Sequence, residues 1–284
     1  GGSIYDLTEE FNSSGSVITA GAWASGGAMG TARIQTAGAG SQTAGLAFGG
    51  ETPGGDTANT EEYNGTSWSE QTNLPATTKD QTGFGAPTTV TYKYDGTNWT
   101  SSGTLNTGRT NAAGCGTSTA GVIFAGSPSI TATEEFNGSI WSTNPNAIPQ
   151  GGSNRFGTGT QIAALAAFGG PPFIATTQEY DGSSWTTGGG GITPRADSRG
   201  GGTQTDAIAG GGYNPGHLTS VEGYDGTSWS TRPSLSQSHT GGSSGQGAAP
   251  ASLNWIAGGN PATTATEEFT GETSAVNIET LTTS

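Results

Sequence analysis

The sequence predicts an all-β protein in which repeated four-stranded sheets close into a ring, a β-propeller. Three observations lead there. A phrase of acidic residue, aromatic ring, tight turn and tryptophan recurs along the 284 residues. Its copies are spaced by about the length of one small sheet. No stretch shows the sustained 3.6-residue period of an amphipathic helix. The phrase reads EEYNGTSW at 61–68, KYDGTNW at 93–99, EEFNGSIW at 134–141, EYDGSSW at 179–185 and GYDGTSW at 223–229.

Each element of the repeat has a physical reading. Trp23, Trp68, Trp99, Trp141, Trp185 and Trp229 are separated by 45, 31, 42, 44 and 44 residues. A cation follows the tryptophan by ten or eleven residues: Arg33, Lys79, Arg109, Arg195 and, in the last unit, His239. After Trp141 the cation is Arg155, fourteen residues on. A Gly/Ala-rich stretch comes next, such as TAGAGSQT (36–43), and it suits backbones crowded around a central axis. Short apolar runs ending in small residues follow, as in GLAFGG (45–50) and ALAAFGG (164–170). They are too short for helices and read as buried strands. Asn-Gly and Asp-Gly then supply the positive φ angles of a tight hairpin, which places Tyr63 and Trp68 on paired antiparallel strands. Four short strands thus fill each unit.

Composition narrows the class. Gly supplies 52 residues without a three-residue period, which excludes collagen, and the regularly spaced aromatics argue against disorder. Two Lys and six Arg against 22 acids give a formal charge of −14, a poor match to nucleic acid or an anionic membrane. The single Cys115 excludes an internal disulfide framework and a multi-Cys zinc site. No apolar run approaches the ~20 residues of a membrane-spanning helix.

Aromatic segments centre on Phe11, Tyr63, Tyr94, Phe136, Tyr180, Tyr224 and Phe269. The chain reads as a single domain over 1–284. It starts mid-unit, an N-terminal hairpin over 1–23 helps to close the ring, and 267–284 forms a degenerate last half-repeat. Six blades are favoured, one of them abbreviated at the 31-residue interval, with five or seven left open.

The order apolar residues, Gly-Gly, aromatic and Trp resembles the kelch repeat, as in Phe48, Gly49, Gly50, Tyr63, Trp68 and in Phe168, Gly169, Gly170, Tyr180, Trp185. The wording of the units is also similar to kelch-like arrays in virion proteins of marine bacteriophages. The first resemblance implies a propeller; the second implies a place on a virion or another extracellular surface.

A residue present in every unit serves the unit. The six tryptophans, the aromatics Tyr63, Tyr94, Phe136, Tyr180 and Tyr224, and the cations Arg33, Arg109 and Arg195 are therefore assigned to the frame. The repeated Glu pair joins the cations as candidates for a ring of ion pairs, with Glu10, Glu62, Glu135, Glu179 and Glu268 each directly before an aromatic; Lys93 reverses the charge in the abbreviated unit. The sequons at Asn64, Asn98 and Asn137 lie in or beside hairpin turns, where turn geometry explains them, and a fourth is at Asn12. Large residues outside the pattern are the recognition candidates. These are Phe173 in the Pro-Pro-Phe-Ile loop, and Tyr213, Asn214 and His217 in GGGYNPGH.

Catalysis finds little support. One Cys and two His do not furnish the copper site of kelch-like oxidases, and no Asp-x-Asp-x-Asp-Gly calcium loop is present. The Asp-Gly-x-x-Trp spacing is one residue shorter than the Asp box of sialidase propellers. Glu61 and Glu62, adjacent on a strand, point to opposite faces and cannot clamp one substrate. No cofactor is expected. The reading is a non-catalytic structural or interaction module, a tail, fibre or capsid decoration. It presents loops such as 51–60, 126–133, 169–177 and 211–220 to protein or host-surface partners. A carbohydrate-binding lectin propeller is the alternative.

Overall fold

The computed structural model describes residues 14–79, 89–245, 247 and 250–278. No helix occurs among them. Five four-stranded antiparallel sheets form the ring of a β-propeller. The first holds Ala37–Ser41, Ala44–Phe48, Thr60–Tyr63 and Trp68–Glu70. The second holds Ala113–Gly116, Gly121–Phe124, Thr133–Phe136 and Trp141–Asn144. The third runs Phe156–Thr160, Ala163–Ala167, Thr177–Tyr180 and Trp185–Gly188. The fourth runs Arg199–Thr203, Asp206–Gly210, Val221–Tyr224 and Trp229–Arg232. A closing sheet joins Ser243–Ser244, Leu253–Ala257 and Thr266–Thr270 to the N-terminal strand Ala22–Ser25.

The interval between the first and second sheets contributes a two-stranded hairpin, Tyr92–Tyr94 with Trp99–Ser101. The described residues therefore show five blades, a number left open by the sequence rather than the six it favoured, because the 31-residue interval contributes only this two-stranded hairpin. The segment at Phe11 lies outside them. Ser14–Thr19 pairs with Thr273–Ile278 beside the closing sheet. In that sheet Phe269 lies opposite Trp23, so its aromatic and its tryptophan come from opposite ends of the chain.

The register repeats. Tyr63 faces Trp68, Tyr94 faces Trp99, Phe136 faces Trp141, Tyr180 faces Trp185 and Tyr224 faces Trp229. The intervening turn is closed by the Asn or Asp that opens it. Asn64 Oδ1 accepts from the Thr66 and Ser67 amides at 2.9 Å each, and Asp225 Oδ1 accepts from Thr227 and Ser228 at 2.9 and 2.8 Å. These amide bonds hold the Asp95, Asp181 and Asp225 carboxyls below the usual carboxylate range. The next residue is glycine because φ there is near +90°, as at Gly65 (+89°).

Successive Gly-rich first strands stand side by side around the axis. A Cβ on Gly201 would come within 2.0 Å of the Gly245 carbonyl oxygen, so the approach of neighbouring backbones itself demands glycine. The core lies between sheets. The Trp185 ring packs on Phe124 at 4.8 Å, Trp229 on Phe168 at 4.9 Å and Trp68 on Trp255 at 5.2 Å between centroids. Burying each ring is worth roughly 1.5–3 kcal/mol, and the sum over the ring replaces the single central core of a smaller domain.

Candidate functional site

Most of the polar groups buried in this chain belong to the frame. Arg33, Arg109 and Arg195 each send one guanidinium nitrogen to a glutamate and the other to two carbonyl oxygens. The acids are Glu61 at 2.8 Å, Glu134 at 2.5 Å and Glu222. In the closing sheet His239 meets Glu267 at 3.0 Å. Here the structure refines the sequence assignment. The paired glutamate is two residues before the aromatic, on the aromatic's side of the strand, whereas Glu62, Glu135, Glu179 and Glu268 point the other way.

Backbone amides complete each pairing. Glu134 also accepts from Asn106 and Thr107, Glu222 from Ile192 and Thr193, and Glu267 from Ser236 and Gln237. Burial opposes the charge of Glu267, yet His239 and these two amides outweigh it and hold the carboxyl below its ordinary range. The third sheet departs from the rule. Pro149, which has no N–H, stands where Asn106 and Ile192 offer theirs, and the acid is replaced by Gln178. Arg155 reaches the same place from further along the chain, 2.9 Å from Gln178 Oε1. Burial alone lowers it to about 10.

The glutamates directly before the aromatics cross to the next sheet. Tyr224 donates to Glu179 at 2.5 Å, and Tyr63 and Tyr180 donate to Glu268 and Glu135. Burial first, then these carboxylates, push the tyrosines up, Tyr63 to about 12. Burial also pushes the Cys115 thiol up, which keeps it protonated.

The loops joining second to third strands, 49–59, 125–132, 168–176, 211–220 and 258–265, all leave the same end of their sheets. Beneath them a collar of left-handed residues links unit to unit. Asn154 N donates to Asn111 O at 2.9 Å, Asp197 N to Asn154 O at 3.1 Å and Gly241 N to Asp197 O at 3.1 Å. Asn and Asp adopt this conformation more readily than other side chains.

On this face the four recognition candidates come together. Phe173 from the third sheet's loop meets Tyr213 from the fourth's, with centroids 5.8 Å apart at 61°. Tyr213 meets His217 at 5.5 Å and 66°. Such edge-to-face contacts suit the ring quadrupole. Tyr213 exchanges backbone hydrogen bonds with Ala196 at 2.8 and 3.1 Å, Asn214 N donates to Gly216 O at 3.0 Å, and Leu218 N to Gly212 O at 2.9 Å. The Asn214 side-chain amide donates to Pro194 O at 2.5 Å. His217 Nδ1 lies 2.9 Å from Thr240 Oγ1, which itself donates to Gly212 O at 2.8 Å. The Thr240 proton is thus committed, so Nδ1 carries a hydrogen, and in the neutral ring Nε2 is an acceptor. Thr240 and Pro194, which anchor the cluster, carry no signal in the sequence; only the fold brings them in. Tyr213 is 38% exposed, and among the described residues no other Phe, Tyr or Trp is so open to solvent.

The ring has a solved counterpart. A structure described as "Structure of YjhT" superposes with a TM-score of 0.64 at 13% identity, covering 88% of this chain and 99% of the other. At that identity the likeness concerns the fold alone. No family model matches the chain, and no curated protein matches it.

Proposed function

We propose that the chain is a non-catalytic recognition module that displays unit-specific loops on one face of a rigid ring. The convergence of Phe173, Tyr213, Asn214 and His217 from two units into one solvent-facing cluster carries this reading. The repeated frame elements are mostly buried and paired among themselves, while the four residues outside the repeat gather where a partner can reach them. The finer reading is a surface component of a phage virion, supported by the resemblance of the repeat wording to arrays in such proteins.

The immobilised chain, screened against arrays of peptides, proteins and glycans, is expected to capture a partner. A Phe173→Ser/Tyr213→Ser double variant with an unchanged melting temperature is expected to lose it. Binding that survives this change, or maps to the opposite face, overturns the reading. Proteomic detection of the chain in purified particles tests the virion assignment, and its absence from them removes it.

A further inference from the structure

We infer that the cluster at Tyr213 is a binding site for a neutral, hydroxyl-rich ligand, a glycan without acidic sugars; this rests on the recognition reading above. The argument starts from what the site offers. One aromatic ring is 38% exposed and is flanked by Phe173 at 5.8 Å and His217 at 5.5 Å between centroids. An aromatic face of this kind suits the apolar C–H side of a pyranose ring. Around it the uncommitted polar atoms are mostly acceptors. In the neutral ring His217 Nε2 is one, because Nδ1 spends its hydrogen on Thr240. Asn214 Oδ1 is another, because the side-chain nitrogen is turned to Pro194 O. Acceptors beside a ring match sugar hydroxyls, which donate.

Charge decides against the acidic sugars. None of the four side chains is an acid, a lysine or an arginine, and the whole chain carries a formal charge of −14. A carboxylate or sulfate would find no lysine or arginine among them and would approach a chain of its own sign. Rigidity also favours a small ligand. The loop is pinned to Ala196, to Pro194 and through His217 to Thr240 of the closing unit, so little ordering cost remains to be met on binding.

Saturation-transfer NMR and calorimetry on the full chain test this with neutral oligosaccharides, sialylated oligosaccharides and a random peptide library as probes. Neutral oligosaccharides are expected to bind. Tyr213→Ala is expected to weaken them at least about tenfold, and His217→Ala to weaken them as well. Ile162→Ser, exposed at the opposite end of the third sheet, serves as control and is expected to bind as the parent does. Absence of any neutral glycan signal in the folded parent overturns the inference, as does equal binding by Tyr213→Ala. Preference for sialylated probes overturns it too. If peptides bind and lose binding in Tyr213→Ala while glycans do not bind, the recognition reading stands and the glycan inference falls.

Discussion

Across the boundary between the second and third sheets, the indole Nε1 of Trp185 donates to Thr133 Oγ1 at 2.9 Å. The same bond recurs from Trp229 to Thr177, Trp68 to Thr266, Trp99 to Thr60 and Trp141 to Thr91. The sixth tryptophan breaks the series. Trp23 faces a unit with Val221 at the threonine position, and its buried Nε1 has no partner. Thr133→Val should therefore strand the Trp185 donor and cost about 1–3 kcal/mol, whereas Val221→Thr should give Trp23 a partner and add about 0.5–1.5 kcal/mol. Urea unfolding checks both. A Val221→Thr chain less stable than the parent would show that the closing boundary cannot accommodate the clasp.

A second code runs beside the first. Tyr63, Tyr180 and Tyr224 have hydroxyls where the preceding unit offers Glu268, Glu135 and Glu179. Phe136 and Phe269 lack one where the preceding unit has Lys93 and Gly223. A glutamate at 223 needs the exposed Arg232 to yield, since the nearest atoms to a Cβ there all belong to that side chain, Nε at 2.7 Å and Cγ at 3.2 Å among them. Phe269→Tyr alone should destabilise the ring by burying an unpaired hydroxyl. Combined with Gly223→Glu, it should recover, with a coupling of about 1 kcal/mol or more. A double-mutant cycle with no coupling would show that the two positions do not meet.

These codes explain what could and could not be read from the sequence. The repeat, the strand pairing of Tyr63 with Trp68 and the burial of the tryptophans are local or periodic, and spacing alone exposes them. The partners of Tyr180 and Tyr224, Glu135 and Glu179, sit 45 residues earlier and that of Tyr63, Glu268, sits 205 residues later, on strands reached only through the ring. The ion-pair assignment depended on which face of the strand each glutamate takes, and Glu61 is the one that meets Arg33 in its own unit while Glu62 lies on the other face. Phe173, Tyr213 and His217 stood out as departures from the repeat. Their meeting was not legible, because it depends on Thr240 and Pro194 in segments that look like any other loop.

His239 takes the place of an arginine, and its surroundings dictate its form. Nδ1 lies 2.5 Å from Gly258 O and Nε2 lies 3.0 Å from Glu267 Oε1. The Gly258 carbonyl can only accept, so Nδ1 donates to it, and a ring that donates from Nε2 as well would match an ionised Glu267. Nitrogen-15 NMR at neutral pH should show two protonated ring nitrogens for His239. His239→Gln, which can reach one acceptor but brings no charge, should destabilise the closing sheet by about 3–5 kcal/mol as Glu267 loses its counter-ion. A single protonated nitrogen in the parent spectrum would contradict this account.

The tyrosine clasps also set an upper pH limit. Burial, and in Tyr63 the bond to Glu268, raise Tyr63 and Tyr94 to about 12, and Tyr180 and Tyr224 move in the same direction. A free phenol ionises near 10. The folded chain therefore holds protons that the unfolded chain releases between those values. That contribution to stability is complete below about pH 10 and is lost as the pH climbs toward 12. Urea midpoints measured at short times should stay level up to about pH 10 and then fall. A Tyr180→Phe/Tyr224→Phe chain should start from a lower stability, since Glu135 and Glu179 lose their donors, and should fall less steeply because two of the titrating phenols are gone. Identical slopes for parent and variant would place the alkaline loss elsewhere than in these inter-sheet bonds.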